Sequence, residues 1–309
     1  MIRNPLCVLF FWALSLGIYA GDAVRPPAPP DAGVFTPQGD FAALKKAHPT
    51  KLRRPNKAPE DYNNFAKIPG TDVIVFKSGE LKLRAWLRMP PNLEAGKKAP
   101  AVVYFHTGFA LTKNDLEASQ PFVDAGFVVL APTFRGENGN PGHFELFYGE
   151  ADDALAAVNW LAAQPSIDAG RIYTFGQGAG GAISALLSLY ADAPIRLTGS
   201  CGGIYTEKLF EALHKENLAM LPFDIKDDAE VRLRLLARNI PLMRRMHLGI
   251  IGRKDTMVLQ QARDVQKIAD AQQAPLKFSL VDGDPETCRG PAVDVFLKFI
   301  QQDLAEGKQ

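Results

Sequence analysis

The run Arg171–Gly181, RIYTFGQGAGG, decides how this chain is read. It opens on an apolar, β-branched and aromatic stretch, and it is followed by AISALLSLY, which has the apolar character of a buried helix. A glycine-rich turn between a strand and a helix has two common uses. It cradles a phosphate at the helix N-terminus, or it lifts a nucleophile above a sheet. The apex here, Gln177-Gly178-Ala179, carries no Ser, Cys or Thr. The glycines do satisfy G-x-G-x-x-G. A dinucleotide turn, however, follows the first strand of its unit and is answered by an acid at the end of the next strand. This turn lies deep in the chain, and no such acid is evident.

Outward from the turn, strand and helix patterns alternate. Residues 71–90 hold two alternating runs around Ser78-Gly79 and predict a β-hairpin. Continuous apolar runs at 101–106, 127–132, 171–176, 195–201, 246–252 and 276–283 predict strands buried on both faces. Between them, 115–126, 149–164, 182–191, 260–272 and 292–305 read as helices, and 205–238 as helical with a break at Pro222. Strands alternating with helices imply parallel βαβ units with right-handed crossovers. The expected fold class is therefore α/β, a three-layer sandwich around a mostly parallel eight-stranded sheet. Ligands in such sheets bind at the carboxyl ends of the strands.

Composition sets further bounds. The chain has 309 residues and a net charge of +1. That balance gives no electrostatic reason to expect nucleic acid or an anionic membrane as partner. No pattern indicates a metal or other cofactor. Arg3 precedes an uncharged apolar run, Leu6–Ala20, followed by small residues. The run is short for a membrane span. It reads as a signal peptide over Met1–Ala20 and predicts export, with an uncleaved anchor as the alternative. Residues 21–68 read as a Pro-rich extended leader and 69–309 as the domain. Loss of the signal segment removes Cys7 and leaves Cys201 and Cys288, either as one disulfide or as two buried thiols.

Four stretches, KSGELKLRAWLRMPPN, PAVVYFHTGF, the segment from FVVLAP through RIYTFG, and GIIGRKDTMV, resemble the α/β-hydrolase fold. More narrowly, they are similar to its prolyl-oligopeptidase-like and dienelactone-hydrolase-like serine hydrolases. The resemblance covers about 71–304. It implies a turn of the form G-x-S-x-G-G, so that Gly178 stands at the nucleophile position. It implies Asp255 as the acid and a histidine in the loop after the last strand, where this chain has Pro285. It implies an oxyanion site from the Ala179 N–H and from the loop His106-Thr107-Gly108-Phe109. Thr107 stands where the family usually has glycine.

Glycine cannot form an acyl-enzyme and proline cannot relay a proton. The resemblance therefore implies a hydrolase scaffold without acyl-transfer chemistry, holding a small-molecule or peptide ligand, or serving as an interaction module. A second reading keeps an active ester or peptide hydrolase. Gly199-Ser200-Cys201-Gly202-Gly203 fits G-x-C-x-G and offers Cys201 as nucleophile. In the loop Arg135–Gly142, Arg135, Glu137 and His143 are candidates to line a pocket. A loop held by its own side-chain-to-backbone bonds is the alternative.

Overall fold

The computed structural model describes residues 18–20, 35–60, 65–216 and 221–306. Residues 1–17 of the expected signal peptide and 21–34 of the expected leader lie outside the described residues. The strands are β1 (Ile18–Ala20), β2 (Asp72–Ser78), β3 (Leu81–Arg88), β4 (Ala99–Phe105), β5 (Val128–Pro132), β6 (Ile167–Gln177), β7 (Leu197–Cys201), β8 (His247–Gly252) and β9 (Leu276–Val281). They form one sheet in the order β1-β9-β8-β7-β6-β4-β5-β3-β2. Strands β2 to β9 are the eight expected. The ninth, β1, pairs in parallel with β9 at one edge. Antiparallel pairing is confined to β2–β3 and β3–β5.

The hairpin closes through Gly79-Glu80, with Ser78 opposite Leu81, and Gly79 has the positive φ of +56° that a two-residue turn needs. Strands β5, β7 and β8 are buried at every position, as parallel strands covered on both faces must be.

The helices are α1 (Phe41–Ala47), α2 (Lys113–Ala118), α3 (Gln120–Asp124), α4 (Tyr148–Ala162), α5 (Ala179–Leu187), α6 (Lys208–Glu216), α7 (Asp228–Arg232), α8 (Thr256–Gln272) and α9 (Arg289–Glu306). On one face of the sheet, Phe122 of α3 and Phe296, Phe299 and Ile300 of α9 pack with Tyr104, Tyr173 and Phe175. On the other, α4, α5 and α8 bury Leu161, Ile183, Leu186 and Val265 with Val103 and Phe105. The single helix expected at 115–126 is two. The chain breaks at Ser119, ahead of Pro121 in the first turn of α3, because proline has no N–H to continue α2.

The leader is not wholly extended. Asp40 caps α1 by accepting from Ala43 N at 2.8 Å. Phe41 is buried and meets Tyr190 edge-on, with ring centroids 5.3 Å apart. Lys45 buries its ammonium, which donates to Tyr148 O (2.6 Å), Asp152 Oδ1 (2.6 Å) and Tyr190 OH (3.1 Å). Burial lowers the Lys45 pKa, and Asp152 acts against that. Farther along the leader, Thr50 Oγ1 accepts from the fully buried Arg234, which also pairs with Glu230 at 2.6 Å and stacks on Phe223.

Two loops at the carboxyl end of the sheet are tied by charge. His106, just after β4, places Nε2 2.7 Å from Glu137 Oε1, and both side chains are buried. Glu137 also accepts from Phe134 N at 2.7 Å. Burial alone would lower the His106 pKa, but the Glu137 carboxylate and its hydrogen bond raise it to about 9. Burial pushes Glu137 up. The rest of the 133–147 loop is held by Asn140, donating to Thr133 Oγ1 and Phe134 O, and by Asn138, bonded both ways to Leu111.

The folded pKa of His106, about 9, lies above the ~6.5 of an unfolded imidazole. The contribution of the pair is complete below about pH 6.5 and is lost as pH rises through about 9. Thermal melts from pH 6 to 10 should show Tm falling around pH 9. Glu137→Gln should flatten that dependence and destabilise by about 3–5 kcal/mol at pH 7. A parent protein whose Tm is flat across this range contradicts the charged pair. A second expectation concerns Gly180, where a Cβ would lie 2.4 Å from the backbone oxygens of Phe105 and His106. Gly180→Ala should cost at least about 1–3 kcal/mol in denaturant melts. Gly290→Ala, in α9 with open space around it, should be neutral or stabilising.

Candidate active site

The β6–α5 turn is built by the absence of side chains. A Cβ on Gly176 would lie 2.4 Å from the carbonyl of Gly180, so strand and helix touch backbone to backbone. At the apex, Gly178 has φ 53° and ψ −112°. A residue with a side chain is strained there, which is the conformation a nucleophile elbow imposes on its apex. Gly178 N donates to Cys201 O at 3.0 Å, hooking the apex to the end of β7. A Cβ at 178 would have Thr107 Oγ1 as its nearest neighbour, 3.3 Å away. Ala179 is the first residue of α5, so its N–H has no partner within the helix.

The His106–Phe109 loop reaches this turn, since a Cβ on Gly180 would strike the His106 carbonyl. Two of its backbone donors are engaged by carboxylates. Thr107 N donates to Asp115 Oδ1 at 3.1 Å, and Phe109 N donates to Glu60 Oε2 at 2.9 Å. Gly108, at φ +65°, leaves room for that approach, because a Cβ there would be 2.5 Å from Glu60 Oε2. Asp115 closes a capping box with Thr112, a pattern visible in sequence as Thr-x-x-Asp. Glu60 carries no such signal within its polar leader.

The loops after β8 and β9 pack against each other, with Lys254 N donating to Gly283 O at 3.0 Å. Asp255 is buried and caps α8, accepting from Val258 N at 3.1 Å. Pro285 lies beside the turn, since its carbonyl accepts from Gln177 Nε2 at 2.9 Å. The 176–179, 252–258 and 282–288 segments thus converge. None of the five histidines is hydrogen-bonded or ion-paired to Asp255. His48 follows α1, His106 faces Glu137, and His143 and His214 are exposed. His247 is buried, with Nδ1 2.9 Å from Thr198 Oγ1 and Nε2 2.8 Å from Ser200 Oγ. That serine–histidine contact has catalytic spacing, yet both residues are inaccessible. Burial lowers the His247 pKa to about 3, so its imidazole is neutral.

The other sequence candidates separate. Arg135 is engaged by two carboxylates. It grips Asp153 through Nε (3.0 Å) and Nη2 (2.8 Å), and Glu145 through Nη1 (2.8 Å). Cys201 is not at a strand-to-helix elbow. It ends β7, is fully buried, and faces Cys288 with the sulphurs 3.3 Å apart. The first glycine of that motif has a packing cause, since the Phe296 ring would lie 2.3 Å from a Cβ on Gly199. Among the described residues no group of three or more His, Cys, Asp and Glu side chains is arranged to hold a metal ion. Among them, too, no helix is long and apolar enough to cross a membrane.

The family model for X-Pro dipeptidyl-peptidases (S15 family) matches residues 79–201. An uncharacterised protein of Mycobacterium tuberculosis is 32% identical over 135 residues, covering 44% of this chain and 47% of that one. Esterase LipI of the same organism is 33% identical over 106 residues, 32% of each chain. The chain therefore spans less than half the length of these relatives. Among solved structures, a puromycin-hydrolyzing peptidase of M. tuberculosis superposes with TM-score 0.63 at 18% identity, over 77% of this chain and 40% of that one. An esterase of Thermogutta terrifontis superposes with TM-score 0.59 at 16% identity, over 77% of this chain and 92% of that one. With the mostly parallel sheet and the backbone-to-backbone turn between β6 and α5, these likenesses make the chain an α/β-hydrolase-fold protein.

Proposed function

We propose that this is an exported α/β-hydrolase-fold protein that binds an acyl-type ligand, an ester or a peptide, without cleaving it by acyl transfer. One observation carries the reading. The apex of the turn, at φ 53° and ψ −112°, is Gly178, and no hydroxyl or thiol projects from it. Pro285 beside it has no proton to move. The members of a catalytic triad act as a unit, so the loss of two leaves nothing for Asp255 to orient. The ligand class rests on the family match and on the relative named as an esterase. Gln177 Oε1, shielded beside the turn and without a protein donor among the described residues, supports a ligand that donates there. Export is supported by Arg3 and the apolar run behind it. The Cys201 route has no such support, because that thiol is buried against Cys288.

The parent protein should take up no fluorophosphonate probe and should not turn over p-nitrophenyl esters. Labelling of any residue, followed by loss of turnover on its removal, would sink the reading. Gly178→Ser alone should remain nearly inert, since a serine there has no base and carries about 1–3 kcal/mol of backbone strain. Gly178→Ser with Pro285→His should exceed that single variant by about 100-fold in ester hydrolysis. If the double variant folds and is no faster, the convergence of loops around residue 178 is not a hydrolase site.

A further inference from the structure

We propose that Cys201 and Cys288 are a cross-linking pair, whose disulfide ties the end of β7 to the amino-terminal end of α9 and fastens the 282–288 loop beside the Gly178 turn.

Three observations point to it. First, the two thiols stand 3.3 Å apart, although 87 positions separate them in the chain. They are also two of only three cysteines in the sequence, so every thiol beyond Cys7 is in this contact. Second, both are buried, at 0% and 1% exposure. A disulfide here brings the sulphurs from 3.3 Å to about 2.05 Å. Third, each cysteine is coupled through the backbone to the candidate site. The Cys201 carbonyl holds the Gly178 N–H at 3.0 Å. Cys288 N donates to Asp284 O at 2.9 Å. Asp284 Oδ1 in turn fixes the loop by accepting from Glu286 N, Thr287 N and Thr287 Oγ1. A bond between the sulphurs therefore joins two structures that are otherwise linked at the turn by the Gln177–Pro285 hydrogen bond.

The chemistry is thiol–disulfide exchange with a small-molecule or protein disulfide as oxidant, before the loop closes over both sulphurs. The exchange starts from the thiolate of one cysteine, written here as Cys288. It attacks one sulphur of the donor disulfide and expels the other as a thiol. Cys201 then loses its proton and attacks Cys288 Sγ, releasing the second donor thiol. Two protein thiols and one donor disulfide become one protein disulfide and two donor thiols.

The test uses the full chain, unfolded, reduced and refolded with glutathione disulfide. It is then denatured in N-ethylmaleimide and digested without reductant for mass spectrometry. The expected product is a peptide pair joined through Cys201 and Cys288, neither carrying maleimide. The oxidised protein should melt roughly 5 °C or more above the reduced one. Its 282–288 amides should exchange with deuterium more slowly. Maleimide on both Cys201 and Cys288, or a cross-link of either to Cys7, overturns the proposal. So does a cross-linked protein whose Tm and loop exchange equal those of the reduced form. Because both forms are wild type, the outcome does not depend on a cysteine variant that folds. It is also independent of hydrolase activity.

Discussion

At the β6–α5 junction three backbones lie closer than a single methyl group allows. Gly176 faces the carbonyl of Gly180, and Gly180 faces the carbonyls of Phe105 and His106. Everything at the carboxyl end of the sheet is arranged around that contact. It brings the His106–Phe109 loop over the turn and puts Gly178 at the apex in a conformation disfavoured for other residues. It also points the apex N–H at the end of β7. The elbow has kept its full steric specification although its apex carries no reactive group. A turn under no constraint would not need glycine at 176 and at 180 as well as at 178.

Much of this was legible in the sequence because local chemistry dictates it. Ser78-Gly79 marks the hairpin, the continuous apolar runs mark strands covered on both faces, and the glycines of FGQGAGG mark the turn. What could not be read depends on which strands become neighbours. Cys201 and Cys288 meet because β7, β8 and β9 are consecutive in the sheet and α9 returns beneath them. The motif around Cys201 imitates an elbow, but Gly199 is small to admit the Phe296 ring. Helix α1 was missed because seven residues carry barely two turns of pattern, and its stability comes from the tertiary partners of Phe41 and Lys45. Glu60 was missed for the opposite reason. A carboxylate in a polar segment is unremarkable until a backbone N–H is found beside it.

Charge at this end of the molecule is largely used to hold loops. His106 and Glu137 share a buried contact, Arg135 is claimed by Asp153 and Glu145, and Asp115 and Glu60 sit on the amides of the His106–Phe109 loop. Where the pair is fully buried, as His106 and Glu137 are, it is costly to break from one side. Residues that looked free to meet a ligand are therefore committed to one another, and what is left beside Gly178 is mainly backbone, Gln177 and the hydroxyl of Thr107.

The seat of Lys45 ties the leader to the body of the domain. Its ammonium is received by Tyr148, Asp152 and Tyr190, all far downstream, and Arg234 reaches back to Thr50. A gene fragment starting at the hairpin would encode strands β2 to β9 yet leave Asp152 without the Lys45 ammonium and Arg234 without the Thr50 hydroxyl. A fragment that begins at about Asp40 keeps both contacts. The portion matched by the family model, 79–201, begins well after these leader contacts.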